Sequence, residues 1–113
     1  MMQVREQRVG TIAVVDVSGT ITLDDAESLR LKLARMVDLG HRQIVLDLGD
    51  LTHLDSSALG TLVSTAIRAD KAGSTLKIAN AGKRLRDLLV LTRLTTVFDC
   101  YDSLAAAVES FDS

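Results

Sequence analysis

Asp47, Asp50, His53, Asp55, Ser56 and Ser57 crowd into eleven consecutive positions. Carboxylates, an imidazole and hydroxyls this close invite a test for nucleophilic catalysis. A serine nucleophile needs a base within hydrogen-bond reach and a third group that orients the base. His41 precedes a strand expected to start near Gln43, so it belongs to the opposite edge of the sheet. A strand of that length spans roughly 15–20 Å, too far for His41 to reach Ser56. His53 is close in sequence, but the chain lacks a G-x-S-x-G elbow. A lone loop histidine beside a serine is an ordinary surface residue.

Other chemistries fare no better. A phospho-accepting aspartate of the response-regulator kind needs a β-α start and an acidic pair after the first strand, and no acidic pair follows Val17. Asp47 lies inside the apolar run Ile44–Leu48, where it reads as a strand-end carboxylate hydrogen-bonded to nearby backbone. Neither G-x-G-x-x-G nor G-x-x-x-x-G-K-[ST] occurs, so no phosphate-cradling loop is expected. Two histidines and one cysteine, widely spaced, make a poor zinc set. Cys100 is expected to pack as a small hydrophobe. The residues point to no catalytic site, no metal and no cofactor.

What remains is Asp55-Ser56-Ser57 at the expected start of a helix. Asp and Ser are preferred N-caps, and capping alone accounts for them. The same position also suits modification. A hydroxyl on the first turn is exposed, and a phosphate there meets unpaired N–H groups and the positive end of the helix dipole. The fold would tolerate it. The cost would fall on a docked partner, through bulk and about two negative charges beside Asp55.

The elements that must position these residues follow from periodicity. A polar opening stretch, Gly10 and the β-branched run Thr11–Val17 predict a hairpin. Asp24 with Glu27 predicts the start of a helix, whose buried positions Ala26, Leu29, Leu33, Met36 and Val37 recur at helical spacing up to Gly40. Ile44–Leu48 reads as a central strand covered on both faces. A loop through Gly49 and Asp50 then leads to a second helix, with Leu59, Leu62, Val63, Ala66 and Ile67 at i, i+3, i+4, i+7 and i+8, closed by Gly73. Leu76–Ala79 is a further strand. Leu85, Leu88, Leu89 and Thr92 line one face of a third helix, with Lys83, Arg84, Arg86 and Arg93 on others; Lys83, Arg84 and Arg86 read as a solvated face, with a rim for an acidic partner as the alternative. Val97-Phe98 is expected as the last strand, and Asp102 or Ser103 as the cap of a final helix with Leu104, Val108 and Phe111 inward. The expected fold is α/β: a small, mixed, mostly parallel sheet with an N-terminal β-hairpin and about four helices, in the order ββαβαβαβα.

Composition bounds the class of protein. At 113 residues, 47% hydrophobic and 25% charged, the chain suits one globular domain over residues 1–113. A net charge of -2 gives no footprint for nucleic acid. No apolar run approaches the roughly 20 residues of a membrane span, and the opening residues lack the apolar segment of a secretion signal. A single cysteine allows no internal disulfide, which suits the cytoplasm.

Ile44–Leu48, the approach through Leu51 and Leu54, and Asp55-Ser56-Ser57-Ala58-Leu59-Gly60 together resemble the signature of STAS-domain anti-sigma factor antagonists, in which a strand leads into D-S-S-G-L-G at a helix start. The likeness extends along nearly the whole chain, to Gly73 and the basic helix Lys83–Leu89. It implies a non-enzymatic switch. Ser56 is then the residue phosphorylated by a partner, an anti-sigma factor that is a serine kinase and carries the ATP. The unmodified antagonist binds that partner and frees the sigma factor; phosphorylation releases it, and a PP2C-type phosphatase resets it. Asp55, Ser57, Ala58 and Leu59 are implied to position the site or meet the partner, with Thr22 opposite them. Two departures stand out. Ala58 replaces the usual Gly, which favours helix by roughly 1 kcal/mol. Thr22 stands where the family usually has Asp, and either hydrogen-bonds in its place or serves as a turn residue.

Two other functions fit the same residues. One is a scaffold subunit of a stress-sensing assembly in which phosphorylation of Ser56 releases a bound kinase; its mark is a megadalton particle rather than a monomer or weak dimer. The other is a small serine hydrolase, marked by ester turnover that Ser56→Ala abolishes.

Overall fold

The computed structural model describes residues 2–91, 93 and 99–111, with the side chain of Arg84 excepted. Its elements run β1 (Met2–Val9), β2 (Ile12–Ile21), α1 (Leu23–Asp38), β3 (Gln43–Leu54), α2 (Ser56–Lys71), β4 (Thr75–Ala79), α3 (Gly82–Leu91), β5 (Asp99–Tyr101) and α4 (Leu104–Ser110). This is the order expected from the sequence. The strands stand in the sheet as β1-β2-β3-β4-β5. β1 is antiparallel to β2, and every later pair is parallel. The last strand expected at Val97-Phe98 lies outside the described residues, as does Thr92.

The two faces of the sheet explain the apolar runs. Ala13, Val15 and Val17 of β2 and Ile44 and Leu46 of β3 point to the larger core, shared with buried residues of α1, α2 and α3. The alternate residues Ile12, Val14 and Val45 point to a smaller core under α4. Both faces of β2 and β3 are therefore covered, and an unbroken apolar run is what such strands require. The hairpin turns at Gly10, whose φ of 61° suits a tight turn.

Three expectations need correction. First, the N-cap of α1 lies two residues before Asp24: it is Thr22, and Thr22 with Asp25 forms a reciprocal capping box. A Thr three residues before an Asp outcompetes Asp24 with Glu27. Second, β3 does not stop at Leu48. It continues to Leu54, paired with β2 as far as Ile21, and the expected loop through Gly49 and Asp50 is strand. Between Asp16 and Ser18, and again between Gly19 and Thr20, β3 advances one residue more than β2. Each extra residue is a bulge that re-aims the following side chains. That is why Leu48, Leu51 and Leu54 recur every third residue rather than every second. Third, α3 ends at Leu91, and Arg93 sits in a turn with φ of 60° rather than on the helix.

Both long helices end by the same device. Gly40 and Gly73 take φ of 94° and 85°. The N–H groups of Gly40 and His41 reach back to the carbonyls of Val37 and Met36, and those of Gly73 and Ser74 to Asp70 and Ala69. No described helix is long and apolar enough to cross a membrane.

Candidate functional site

The carboxyl ends of β2 and β3 lead into α1 and α2, so two helix N-termini stand side by side. One backbone bond joins them: the Asp55 N–H donates to the Ile21 carbonyl at 3.0 Å. Thr22 and Ser56 are thereby held at one end of the sheet, where partners of open parallel sheets engage.

Asp55 is the N-cap of α2, with extended backbone. Its Oδ1 accepts the Ser57 N–H at 2.9 Å and the Ser57 hydroxyl at 2.6 Å. These bonds favour the ionised form and hold the Asp55 carboxyl below the usual carboxylate range, the hydroxyl most, then the N–H, with His53 adding a smaller effect. Ser57 is thus committed to the cap. Ser56, at the first helical position, is exposed, and its hydroxyl makes no hydrogen bond to another described residue. Ala58 and Leu59 turn inward at 0% and 5% exposure. Both belong to the larger core, and they seat the helix so that Ser56 faces out.

Thr22 resolves in favour of the turn. Its hydroxyl donates to Asp25 Oδ2 at 3.0 Å and accepts from the Asp25 N–H. No hydrogen bond joins it to Asp55 or Ser56 among the described residues.

The remaining carboxylates separate from this site. Asp47 Oδ1 accepts from the Gly49 N–H at 3.0 Å and from Asn80 Nδ2 at 3.1 Å, the structural role expected of it. Gly49 fits closely here: a Cβ would stand 3.3 Å from both Asn80 Cβ and Asp47 Oδ1, so a larger residue would press on both side chains. Asp16, which sequence reasoning missed, lies opposite Asp47 in the β2–β3 register. Partial burial pushes its carboxyl up, and Asp47 and Asp50 push it further. Only the parallel register brings these acids together.

The histidines supply no base. His41 lies before β3, where its carbonyl accepts the Ser74 hydroxyl at 2.7 Å. His53 is exposed and makes no hydrogen bond to Ser56 among the described residues. No group of three or more His, Cys, Asp or Glu side chains among the described residues is placed to hold a metal. Cys100 is half-buried against the larger core, and burial raises its thiol.

The basic helix is partly paired. Arg86 bridges to Asp102, and Lys83 is exposed. Lys83 also lines a groove of about 640 Å³ that reaches from Ser56 along α3. Sequence reasoning missed this groove, because no single element contains both walls.

At this surface the Ser56 hydroxyl is exposed and bonded to no other described residue, and the fold has relatives. Residues 3–107 match the STAS domain. The anti-sigma-B factor antagonist of Bacillus subtilis is 33% identical over 85 residues, covering 75% of this chain and 77% of that protein. Among solved structures, an anti-sigma factor antagonist from Mycobacterium paratuberculosis superposes with a TM-score of 0.88 at 24% identity, covering 100% of this chain and 96% of that one. The Bacillus cell fate determinant SpoIIAA in its phosphorylated form is similar with a TM-score of 0.75 at 15% identity, covering 96% and 99%. The chain belongs to the STAS-domain family of anti-sigma factor antagonists.

Proposed function

We propose that this chain, acting as one STAS domain over residues 1–113, is a partner-switching antagonist in the cytoplasm. With Ser56 unmodified it binds a serine-kinase anti-sigma factor and frees the sigma factor. The kinase then modifies Ser56: its Oγ bonds to the γ-phosphorus of the partner's ATP, the bond to the β-phosphate oxygen breaks, ADP leaves, and the hydroxyl proton passes to a base of the partner or to solvent. A PP2C-type phosphatase hydrolyses the ester and restores the binding form.

One observation carries this reading. Ser56 presents an uncommitted, exposed hydroxyl on the first turn of α2, while its neighbour Ser57 is tied to Asp55. A phosphate on Ser56 stands beside the ionised Asp55 and adds about two negative charges to the surface. Like-charge contact at an interface costs several kcal/mol, and each ~1.4 kcal/mol is tenfold in affinity. The modified site thus rejects an acidic contact without any refolding.

The test mixes the chain with serine-kinase anti-sigma factors from its own genome and labelled ATP. Label is expected on the peptide containing Ser56, and none on Ser56→Ala. Labelling of Ser56→Ala at the wild-type rate would overturn the assignment.

A further inference from the structure

Lys77 in β4 is buried, at 9% exposure, although a buried lysine normally needs a paired charge. No carboxylate of a described residue bridges it. Asp99 lies opposite in the β4–β5 register, yet it is exposed and makes no ion pair with Lys77. Instead Lys77 Nζ donates to Ser110 Oγ at 2.7 Å. It also stands 4.2 Å from the centre of the Phe111 ring and 5.4 Å from that of Tyr101, both within reach of a cation–π contact. The chain has three aromatic side chains, and two of them surround this one cation. Ser110 and Phe111 form the end of α4, so the cation ties that end to the sheet.

Little else holds α4 there. Ala107 is its one fully buried residue, and Leu104, Val108 and Phe111 are only half-buried against the smaller core. Among the described residues, the bond from Lys77 to Ser110 is the only hydrogen bond between α4 and the sheet. A helix of seven residues is too short to keep its turns in water. The start of α4, by contrast, is pinned. The Tyr101 carbonyl accepts the Asn80 N–H at 2.9 Å, Asp102 bridges to Arg86, and Ser103 caps the helix.

We infer that α4 is a strap that opens from the sheet as one unit, with the Lys77 cation as its catch and Tyr101–Ser103 as its hinge. Once the cation leaves the rings, the far end of α4 comes away and the helix loses its turns. β2 and β3 stay folded, because the larger core on their other face still holds them. The opened form bares Ile12, Val14, Val45 and Ala79, an apolar strip of sheet that is buried when the strap is closed. This device is on the sheet face opposite α1 and α2 and does not depend on the reading of Ser56.

The test is amide hydrogen exchange of the full chain, read by mass spectrometry where closing outpaces exchange and rates report the opening equilibrium. In the wild type, the amides of 104–110 are expected to share one rate, faster than those of β2 and β3. Lys77→Met keeps an apolar stem and removes the cation. It is expected to speed exchange of 104–110 about tenfold while β2 and β3 keep their wild-type rates. Phe111→Leu keeps an apolar side chain without the ring and is expected to speed the same segment several-fold. The double variant is expected to fall short of the product of the two effects, since both remove one contact. Equal exchange of 104–110 in wild type and Lys77→Met would overturn the catch, and so would effects that multiply in the double variant. A rise in β2 and β3 in step with α4 would overturn the strap. Should Lys77→Met not fold, Phe111→Leu decides alone: unchanged exchange of 104–110 would overturn the proposal, and faster exchange confined to that segment would support it.

Discussion

The starts of α1 and α2 lie next to each other, are tied by one backbone bond, and use the same capping chemistry to different ends. At α1 the cap is closed on itself: Thr22 and Asp25 satisfy each other's donors, and neither is left over. At α2 the cap is one-sided: Asp55 takes both donors of Ser57 and none from Ser56. A reciprocal box makes a structural joint. A one-sided cap makes an equally sound helix start and leaves a hydroxyl available for chemistry. Hydroxyl residues at helix starts are therefore sorted by what their neighbours leave unbonded, not by residue type.

The sharpest way to break this contrast is to exchange the hydroxyls. Ser56→Ala should remove at least ~99% of phosphate incorporation, since no other nucleophile occupies the position, whereas Thr22→Ala should keep the rate within a few-fold, as read by labelled phosphate. Comparable loss in both would mean that Thr22 belongs to the reactive site after all.

Stability should divide the other way. Thr22→Ala and Asp55→Ala each remove a cap and should cost about 1 kcal/mol in urea unfolding, while Ser56→Ala should stay within roughly 0.5 kcal/mol. Thr22→Asp keeps a capping side chain and should hold α1 within a few tenths of a kcal/mol. It also restores the residue usual in the family, and labelling of Ser56 by the kinase should rise several-fold.

The smallest effects are in pH. Asp55 has a depressed folded pKa, so its contribution is present above the unfolded carboxylate value and is lost as pH falls through the lower folded value. Asp16 has the opposite sign. Its folded pKa is raised, so stability falls as pH rises from the unfolded carboxylate value, and the cost is complete above the raised folded value. Asp16→Asn should therefore stabilise the chain slightly at neutral pH and lose that advantage in acid below the ordinary carboxylate range. Asp55→Asn should weaken it at neutral pH, with the difference from wild type closing in acid. Urea midpoints across pH 2–7 would show both.

Much of this contrast was legible in the residues. Asp55-Ser56-Ser57 reads as a helix start because Asp and Ser accept from first-turn N–H groups, and the apolar stripe from Leu59 onward leaves only one phase for the helix. What could not be read was which serine the cap consumes. Asp55 could have bonded either hydroxyl, and the choice depends on the turn that follows β3. Thr22 was ambiguous for a similar reason, since Asp24 with Glu27 is also a sound cap signature. The end of β3 was hidden because two bulges destroy the alternation by which strands are recognised.

The sequence by itself determined the element order and the two covered faces of the Ile44–Leu48 run. These rest on local periodicity, which the chain carries with it. Only the tertiary structure decided that Asp16 stands against Asp47, that Ala58 and Leu59 are withdrawn into the core, and that Leu91 closes a groove opened by Leu51. Those facts depend on strand register and on how one helix lies across another. Register and helix placement are set by the whole core packing at once, and no window of neighbouring residues contains them.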